Sequence, residues 1–218
     1  MLMTVKRCQM KTKSKIGLYF GSFNPIHIGH LILAEYILQN SDLTKIWFVV
    51  SPQNPFKKQS ALLDNNTRFH LVQLAVEDNE NFFASNVEFS LPKPSYTINT
   101  LTFLTEKYPD KDFSLIMGED NLRALNKWKD YQKIVSHYNI YVYPRKKDVK
   151  AAEIIDTDML QINAILSENS QSIHLIDAPT IDISASYIRS QIRKGQSVRY
   201  LVSEKVYKEI EKSGLYKQ

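Results

Sequence analysis

The chain has 218 residues, enough for one domain with a sizeable core, and its 43% hydrophobic and 23% charged content is typical of globular proteins. No apolar run approaches the roughly 20 residues that span a bilayer, and the single cysteine, Cys8, excludes an internal disulfide and favours the cytoplasm. Residues 1–15 carry five basic residues and no acid, which equals the whole net charge of +5, so the remaining chain is neutral and we expect no nucleic-acid surface.

Short apolar runs alternate with helical patterns along the chain. The predicted strands, in chain order, are 15–21, 45–51, the weaker 82–90, 113–118, 138–144 and 172–178. The predicted helices are 29–40, 65–78, 96–107, 121–136, 185–194 and one near 203–212. This alternation predicts an α/β fold: a Rossmann-like, doubly wound parallel sheet with helices on both faces. We expect residues 1–14 to be a basic, disordered extension and residues 15–218 to form a single domain that ends in a helical segment.

The strand-to-helix turn after the first strand, "GSFNPIHIGH" at residues 21–30, contains two histidines. Ligands of doubly wound sheets bind beyond the carboxyl ends of the strands, and a helix start presents free backbone N–H groups to an anion. His27 and His30 are three residues apart and project from nearly one face of the helix, where they can donate to phosphate oxygens. A zinc pair and ordinary turn histidines are the alternatives, although the sequence offers no further ligands at zinc spacing.

A second helix start follows the last predicted strand, in "ISASYIRSQIRKG" at residues 183–195. Ser184 is a good N-cap, and Gly195 is a natural helix stop. Ser186 adds a hydroxyl, and Arg189 lies one turn into the helix. This pattern fits a second anion site as well as it fits an ordinary amphipathic helix with a surface arginine. Two anion-binding helix starts on one sheet together favour a polyphosphate.

Several motifs give the chain a clear resemblance to a known family. They are "GSFNPIHIGH" (21–30), "SPQNPFKK" (51–58), "KPSYTINTL" (93–101), "IMGEDNLRALNKW" (116–128), "YPR" (143–145), "ISASYIR" (183–189) and "YLVSEKVYKEI" (200–210). The chain resembles the bacterial nicotinate-nucleotide adenylyltransferases, a branch of the nucleotidyltransferase superfamily named for its HIGH-type motif. The resemblance extends from about residue 16 to residue 216.

This resemblance implies a reaction in which ATP and nicotinate mononucleotide give deamido-NAD and pyrophosphate in NAD biosynthesis, with Mg²⁺ carried by ATP and no protein metal site. His27, His30 and Arg189 are the implied catalytic residues. The implied ATP-binding residues are these three together with Gly21, Ser22, Phe23, Lys57, Gly118, Asp120, Ile183, Ser184 and Ser186. The implied residues for the mononucleotide are Thr97 near the nicotinate carboxylate, Trp128 stacked on the pyridine ring, and Arg145. A homo-oligomer is compatible with the sequence.

The chain departs from the family pattern at a few positions. Phe20 stands where many relatives have glycine, the loop "NPFK" at 54–57 lacks a usual histidine, and Lys129 replaces a tyrosine of some relatives. The alternatives are an adenylyltransferase for nicotinamide mononucleotide or phosphopantetheine, and a non-catalytic nucleotide-binding module. We do not expect an aminoacyl-tRNA synthetase, which needs a second lysine-rich signature and RNA-binding domains, because 218 residues with a neutral body leave no room for them.

Overall fold

The computed structural model describes residues 13–52, 62–144, 167 and 171–217. Its strands are β1 (Ser14–Gly21), β2 (Lys45–Val50), β3 (Phe82–Ser85), β4 (Lys111–Gly118), β5 (Ile140–Tyr143) and β6 (Ile173–Leu175). They form one sheet in the order β3-β2-β1-β4-β5-β6, and every neighbouring pair is parallel. The predicted Rossmann-like, doubly wound parallel sheet is therefore confirmed.

Helices connect and cover these strands. They are α1 (Ile28–Gln39), α2 (Asn65–Val76), α3 (Thr97–Lys107), α4 (Glu119–Arg123), α5 (Tyr131–His137), α6 (Ala185–Arg193) and α7 (Glu204–Ser213), with 3₁₀ turns at Val87–Phe89 and Leu125–Lys127. In the described part of the chain no helix is long and apolar enough to cross a bilayer.

The sheet separates two apolar cores, one on each face. On one face, Tyr19 of β1 packs with buried residues of α1, α2, α6 and α7. On the other face, Ile16 and Leu18 of the same strand pack with buried residues of α3, α4 and α5. Successive side chains of a strand point to opposite faces, so one central strand supplies both cores. The prediction of helices on both faces is confirmed.

The carboxyl ends of the four central strands reach the same level. Gly21 pairs with Val50 of β2, and Gly118 pairs with Tyr143 of β5. Tyr19 pairs with Ile116 of β4, so two residues further on Gly21 and Gly118 stand side by side. The strand order runs from β1 through β2 to β3 on one side and from β4 through β5 to β6 on the other, so it changes direction between β1 and β4. Ligands bind at this point in sheets of this type.

The predicted helix 121–136 is wrong, because the segment is broken into α4, a 3₁₀ turn and α5. Trp128 is extended and Asp130 has a φ of 51°, so the ladder of helical hydrogen bonds is interrupted between them. The large apolar residues of the segment nevertheless enter or pack against the same core. Their spacing therefore resembles one continuous helix.

The predicted strand 82–90 is also too long. Only Phe82–Ser85 pairs with β2, and the chain then enters the 3₁₀ turn Val87–Phe89. β6 is likewise limited to Ile173–Leu175 within the predicted 172–178.

Candidate active site

The turn that follows β1 is unusually compact. A Cβ atom on Gly21 would lie 2.7 Å from the ring of Phe23, so only glycine allows this close approach. Phe23 is 2% exposed and has a φ of 43°, a backbone region that bulky residues rarely enter. Such conformations cluster at functional sites, where the surrounding structure holds them in place.

The two histidines of the motif lie against each other at the start of α1. The rings of His27 and His30 stack with their centroids 3.7 Å apart, and the ring of Phe23 contacts His30 edge-on at 5.1 Å. The backbone N–H of His27 donates to Nδ1 of His30 over 3.2 Å. Because Nδ1 accepts this bond, a neutral His30 carries its proton on Nε2, which is then a donor. His30 is half-buried, whereas His27 is buried.

Gly29 leaves room for the ring of His27. A Cβ atom at this position would lie 3.1 Å from Nδ1 of His27 and 3.1 Å from Ile181. The glycine inside "HIGH" therefore allows the ring of His27 to pack between α1 and the segment that precedes α6.

The second predicted helix start has the expected local structure. The Ser184 hydroxyl caps α6 by accepting the N–H of Tyr187 over 3.2 Å, and Gly195 follows the helix end with a φ of 70°. Both sequence-based expectations are confirmed. The polar start of α6 is thus a defined helix N-terminus with its dipole free to attract an anion.

Arg189 joins this helix to the turn after β1. Its guanidinium donates to the backbone oxygen of Asn24 over 2.7 Å and to the hydroxyl of Ser186 over 3.2 Å. Its Nε atom is buried and has no acceptor among the described residues. A guanidinium has five N–H groups, so Arg189 keeps donor capacity for a ligand. Burial lowers the pKa of Arg189 from its ordinary value, which means that its charge is poorly solvated.

Arg68 of α2 is a central residue of the site that the sequence did not reveal. It is fully buried, and its acceptors among the described residues are neutral oxygens. These are the backbone oxygens of Ser22, Ser51, Pro52 and Leu63 and the side-chain oxygen of Asn65. One guanidinium therefore connects the loop after β1 to the loop after β2. A single arginine in an amphipathic pattern resembles a solvated surface residue, so only the structure identifies this role.

A buried carboxyl group lies beside the second loop. Glu88 is 2% exposed and accepts the hydroxyl of Thr100 over 2.9 Å. Burial raises the pKa of Glu88, while hydrogen bonds from Ser51 and Thr100 oppose the shift. Glu88 thus links the end of β2 to the first turn of α3.

Two of the three residues predicted for the mononucleotide, Thr97 and Trp128, lie on neighbouring elements. Thr97 is the first residue of α3, and Trp128 ends the 3₁₀ turn after α4. Lys129 places its ammonium 4.8 Å from the ring centre of Tyr96, the residue before Thr97. The segments that carry Thr97 and Trp128 are therefore in contact through a cation–π interaction.

Some of the remaining predicted site residues lie in the described part of the chain, and others lie outside it. Gly118 ends β4 and precedes α4, which carries Asp120, and Ile183 lies just before the cap of α6. Lys57 and Arg145 lie outside the described residues, as do residues 1–12 of the predicted extension. Phe20 is still part of β1, where it pairs with Val49, so its side chain is accommodated in the strand and not in the turn.

No group of three or more His, Cys, Asp or Glu side chains in the described part of the chain is arranged to hold a metal ion. The pair His27 and His30 thus has no third protein ligand among these residues. Zinc in a structural site needs four such ligands.

Comparisons with known proteins agree on the family. The family model described as cytidylyltransferase-like matches residues 18–191. A probable nicotinate-nucleotide adenylyltransferase of Flavobacterium psychrophilum is 49% identical over 204 residues, which cover 94% of this chain and 100% of the relative. Its counterpart in Bacteroides fragilis is 42% identical and covers 91% of this chain and 92% of the relative.

Solved structures show the same fold. The nicotinic acid mononucleotide adenylyltransferase of Plasmodium falciparum, complexed with NaAD, superimposes with a TM-score of 0.72 over 93% of this chain and 97% of that chain, at 21% identity. The same enzyme complexed with APC gives a TM-score of 0.71 at 20% identity. The chain belongs to the cytidylyltransferase-like family and, within it, to the nicotinate-nucleotide adenylyltransferases.

Proposed function

We propose that this protein transfers the adenylyl group of ATP to nicotinate mononucleotide, which gives nicotinate adenine dinucleotide and pyrophosphate in NAD biosynthesis. The observation that carries the proposal is the convergence of His27, His30 and Arg189 on the turn after β1. That turn lies at the reversal point of the sheet, where such folds bind nucleotides. The single cysteine supports a cytoplasmic location.

The reaction needs positioning and charge stabilisation more than covalent chemistry. The 5′-phosphate of the mononucleotide attacks the α-phosphorus of ATP, and the bond to pyrophosphate breaks as the new bond forms. In this proposal Nε2 of His30 donates to a phosphate oxygen, since Nδ1 is already held by the backbone of His27. Arg189 and the start of α6 receive the negative charge of the departing pyrophosphate.

We further propose that Mg²⁺ enters with ATP. The described residues offer no carboxylate cluster that would enclose the ion. This donor set fits a cation that keeps its waters and binds through substrate phosphates, as Mg²⁺ often does. When bound, the ion would neutralise part of the charge on the triphosphate.

For the second substrate, we place the pyridine ring near Trp128 and its carboxylate near the start of α3. The side chain of Tyr96 forms no cap on α3, so the first N–H groups of this helix can bind an anion. A carboxamide has less negative charge and presents its own donor. The site should therefore prefer the acid to the amide.

Pyrophosphate release and dinucleotide formation test the function directly. The protein is incubated with ATP and Mg²⁺, and equal concentrations of nicotinate mononucleotide, nicotinamide mononucleotide or phosphopantetheine are compared. We expect both products with nicotinate mononucleotide and much lower rates with the others. Equal rates with the amide would refute the specificity, and absence of dinucleotide would refute the function. A reaction without any acceptor controls for simple ATP hydrolysis.

A further inference from the structure

The end of the chain returns to the turn after β1. α7 ends at Ser213, and the next residue, Gly214, reverses the chain with a φ of 62°. The N–H of Leu215 then donates to the oxygen of Ile210 over 3.2 Å. This reversal brings the hydroxyl of Tyr216 within 3.0 Å of Oδ1 of Asn24. The contact joins residues 192 positions apart in the sequence.

Asn24 is the residue through which this contact can act. It is 1% exposed, and its Oδ1 accepts both the Tyr216 hydroxyl and the N–H of Leu63, the latter over 3.3 Å. Two donors on one oxygen fix the orientation of the amide. The backbone oxygen of the same residue accepts the Arg189 guanidinium over 2.7 Å. The position of Asn24 therefore sets the position of Arg189.

The Tyr216 hydroxyl is held in its donor state. Burial raises the pKa of Tyr216 above its ordinary value, and the neighbouring Arg189 and Arg68 oppose this shift without reversing it. A neutral hydroxyl facing the Asn24 oxygen can only donate its proton to that oxygen. The hydroxyl therefore keeps the proton that it donates in this hydrogen bond at neutral pH.

We infer that Tyr216 is a positioning residue of the nucleotide site: the chain end holds Asn24, and through it Arg189, in the arrangement that binds the phosphates of ATP. The inference rests on the proposed function, because it assigns Arg189 to those phosphates. It adds a residue that lies outside the sequence motifs assigned above to phosphate binding and that acts on Arg189 through Asn24.

A purely structural role of Tyr216 predicts a parallel rise of both KM values, whereas a positioning role predicts a weaker affinity for ATP alone. Replacement by phenylalanine keeps the ring, which packs at the edge of the core beside α7, and removes only the hydroxyl. The Leu63 N–H still satisfies Oδ1 of Asn24. The fold should therefore tolerate Tyr216→Phe, whereas Asn24 and Arg189 lose one restraint.

The experiment measures ATP affinity separately from turnover. Isothermal titration with ATP and Mg²⁺, in the absence of mononucleotide, compares the wild type, Tyr216→Phe and the control Tyr207→Phe. Tyr207 lies on α7 and packs against the same core. We expect the Kd for ATP to rise about two- to tenfold in Tyr216→Phe, the range that one hydrogen bond contributes, and to stay unchanged in Tyr207→Phe.

Steady-state kinetics complete the test. In Tyr216→Phe the KM for ATP should rise and the KM for the mononucleotide should stay at the wild-type value, with a Tm within about 4 °C of wild type. Equal ATP affinity in Tyr216→Phe and wild type would overturn the inference, as would a parallel rise of both KM values. A wild type that binds ATP but forms no dinucleotide would instead overturn the proposed function.

Discussion

Replacement of Arg68 by methionine removes the cation that connects the loops after β1 and β2. The aliphatic part of the side chain is retained, so the change mainly deletes hydrogen bonds. Four of the five bonds that Arg68 donates are 3.1 Å or shorter. Their acceptors lie in both loops and at the start of α2, so we expect the loops to lose their fixed relative position.

The magnitude follows from these four bonds. A buried hydrogen bond contributes about 1–1.5 kcal/mol, which gives about 4–6 kcal/mol for the set. Burial lowers the pKa of Arg68, which shows that the charge is held at an energetic disadvantage, and its removal returns part of that sum. A net loss of about 3 kcal/mol corresponds to a decrease in Tm of roughly 6–12 °C for a chain of this size.

Thermal unfolding followed by circular dichroism measures this decrease, with Arg193→Met as the control. Arg193 is exposed at the end of α6, and exposed substitutions usually change stability by less than about 0.5 kcal/mol. Arg68→Lys should fall between wild type and Arg68→Met, because an ammonium keeps the charge but offers fewer donors. A Tm of Arg68→Met that equals the Tm of the Arg193→Met control would refute the assigned role.

Three further predictions concern the histidine pair and the buried carboxyl group. His30→Ala should lower turnover by about 10²–10³-fold, as loss of a charge-stabilising donor does. His137→Ala should leave turnover unchanged, because His137 ends α5 just before the amino end of β5, away from the carboxyl ends of the strands. Gly29→Ala should lower kcat several-fold with little change in Tm, because the new methyl group displaces the ring of His27 by a few tenths of an ångström; kinetics identical to wild type would contradict the tight packing. Burial raises the pKa of Glu88 from its ordinary value of 4.5 in the unfolded chain. Between the unfolded and the folded pKa, the folded protein keeps a proton that the unfolded chain releases, so stability falls as pH rises through this range. The Tm of Glu88→Gln minus that of wild type should therefore be larger at about pH 8 than at about pH 5, and a difference independent of pH would exclude this titration.

The sequence predicted the sheet well because β1, β2 and β4 are nearly continuous apolar runs that are buried on both faces. It predicted the cap Ser184 and the stop Gly195 because these residues have strong local preferences. It failed over 121–136, where no proline or glycine marks the break and the buried positions keep a helical spacing. Backbone states such as the left-handed Asp130 depend on packing across the segment and leave no local pattern.

The interior of the site was the least predictable part for a related reason. Arg68 and Glu88 are polar residues inside apolar patterns, and their partners lie on loops that are distant in sequence. A hydrophobic pattern indicates only which positions are apolar. These two residues are buried because backbone oxygens accept hydrogen bonds from Arg68 and hydroxyl groups donate hydrogen bonds to Glu88. Tyr216 belongs to the same class, since its partner Asn24 is at the other end of the chain.

Arg68 and Arg189 lie near the same turn but contribute to it in different ways. Arg68 is fully buried and donates its N–H groups to protein oxygens, so it stabilises the turn but cannot bind a ligand directly. Arg189 is half-buried, holds the turn through Asn24 and retains donors for an anion. Both form their hydrogen bonds to neutral oxygens, so their positive charge is not cancelled by those partners. A bound polyphosphate would supply the missing negative charge, and donors that are already fixed in place need no reorganisation when it arrives.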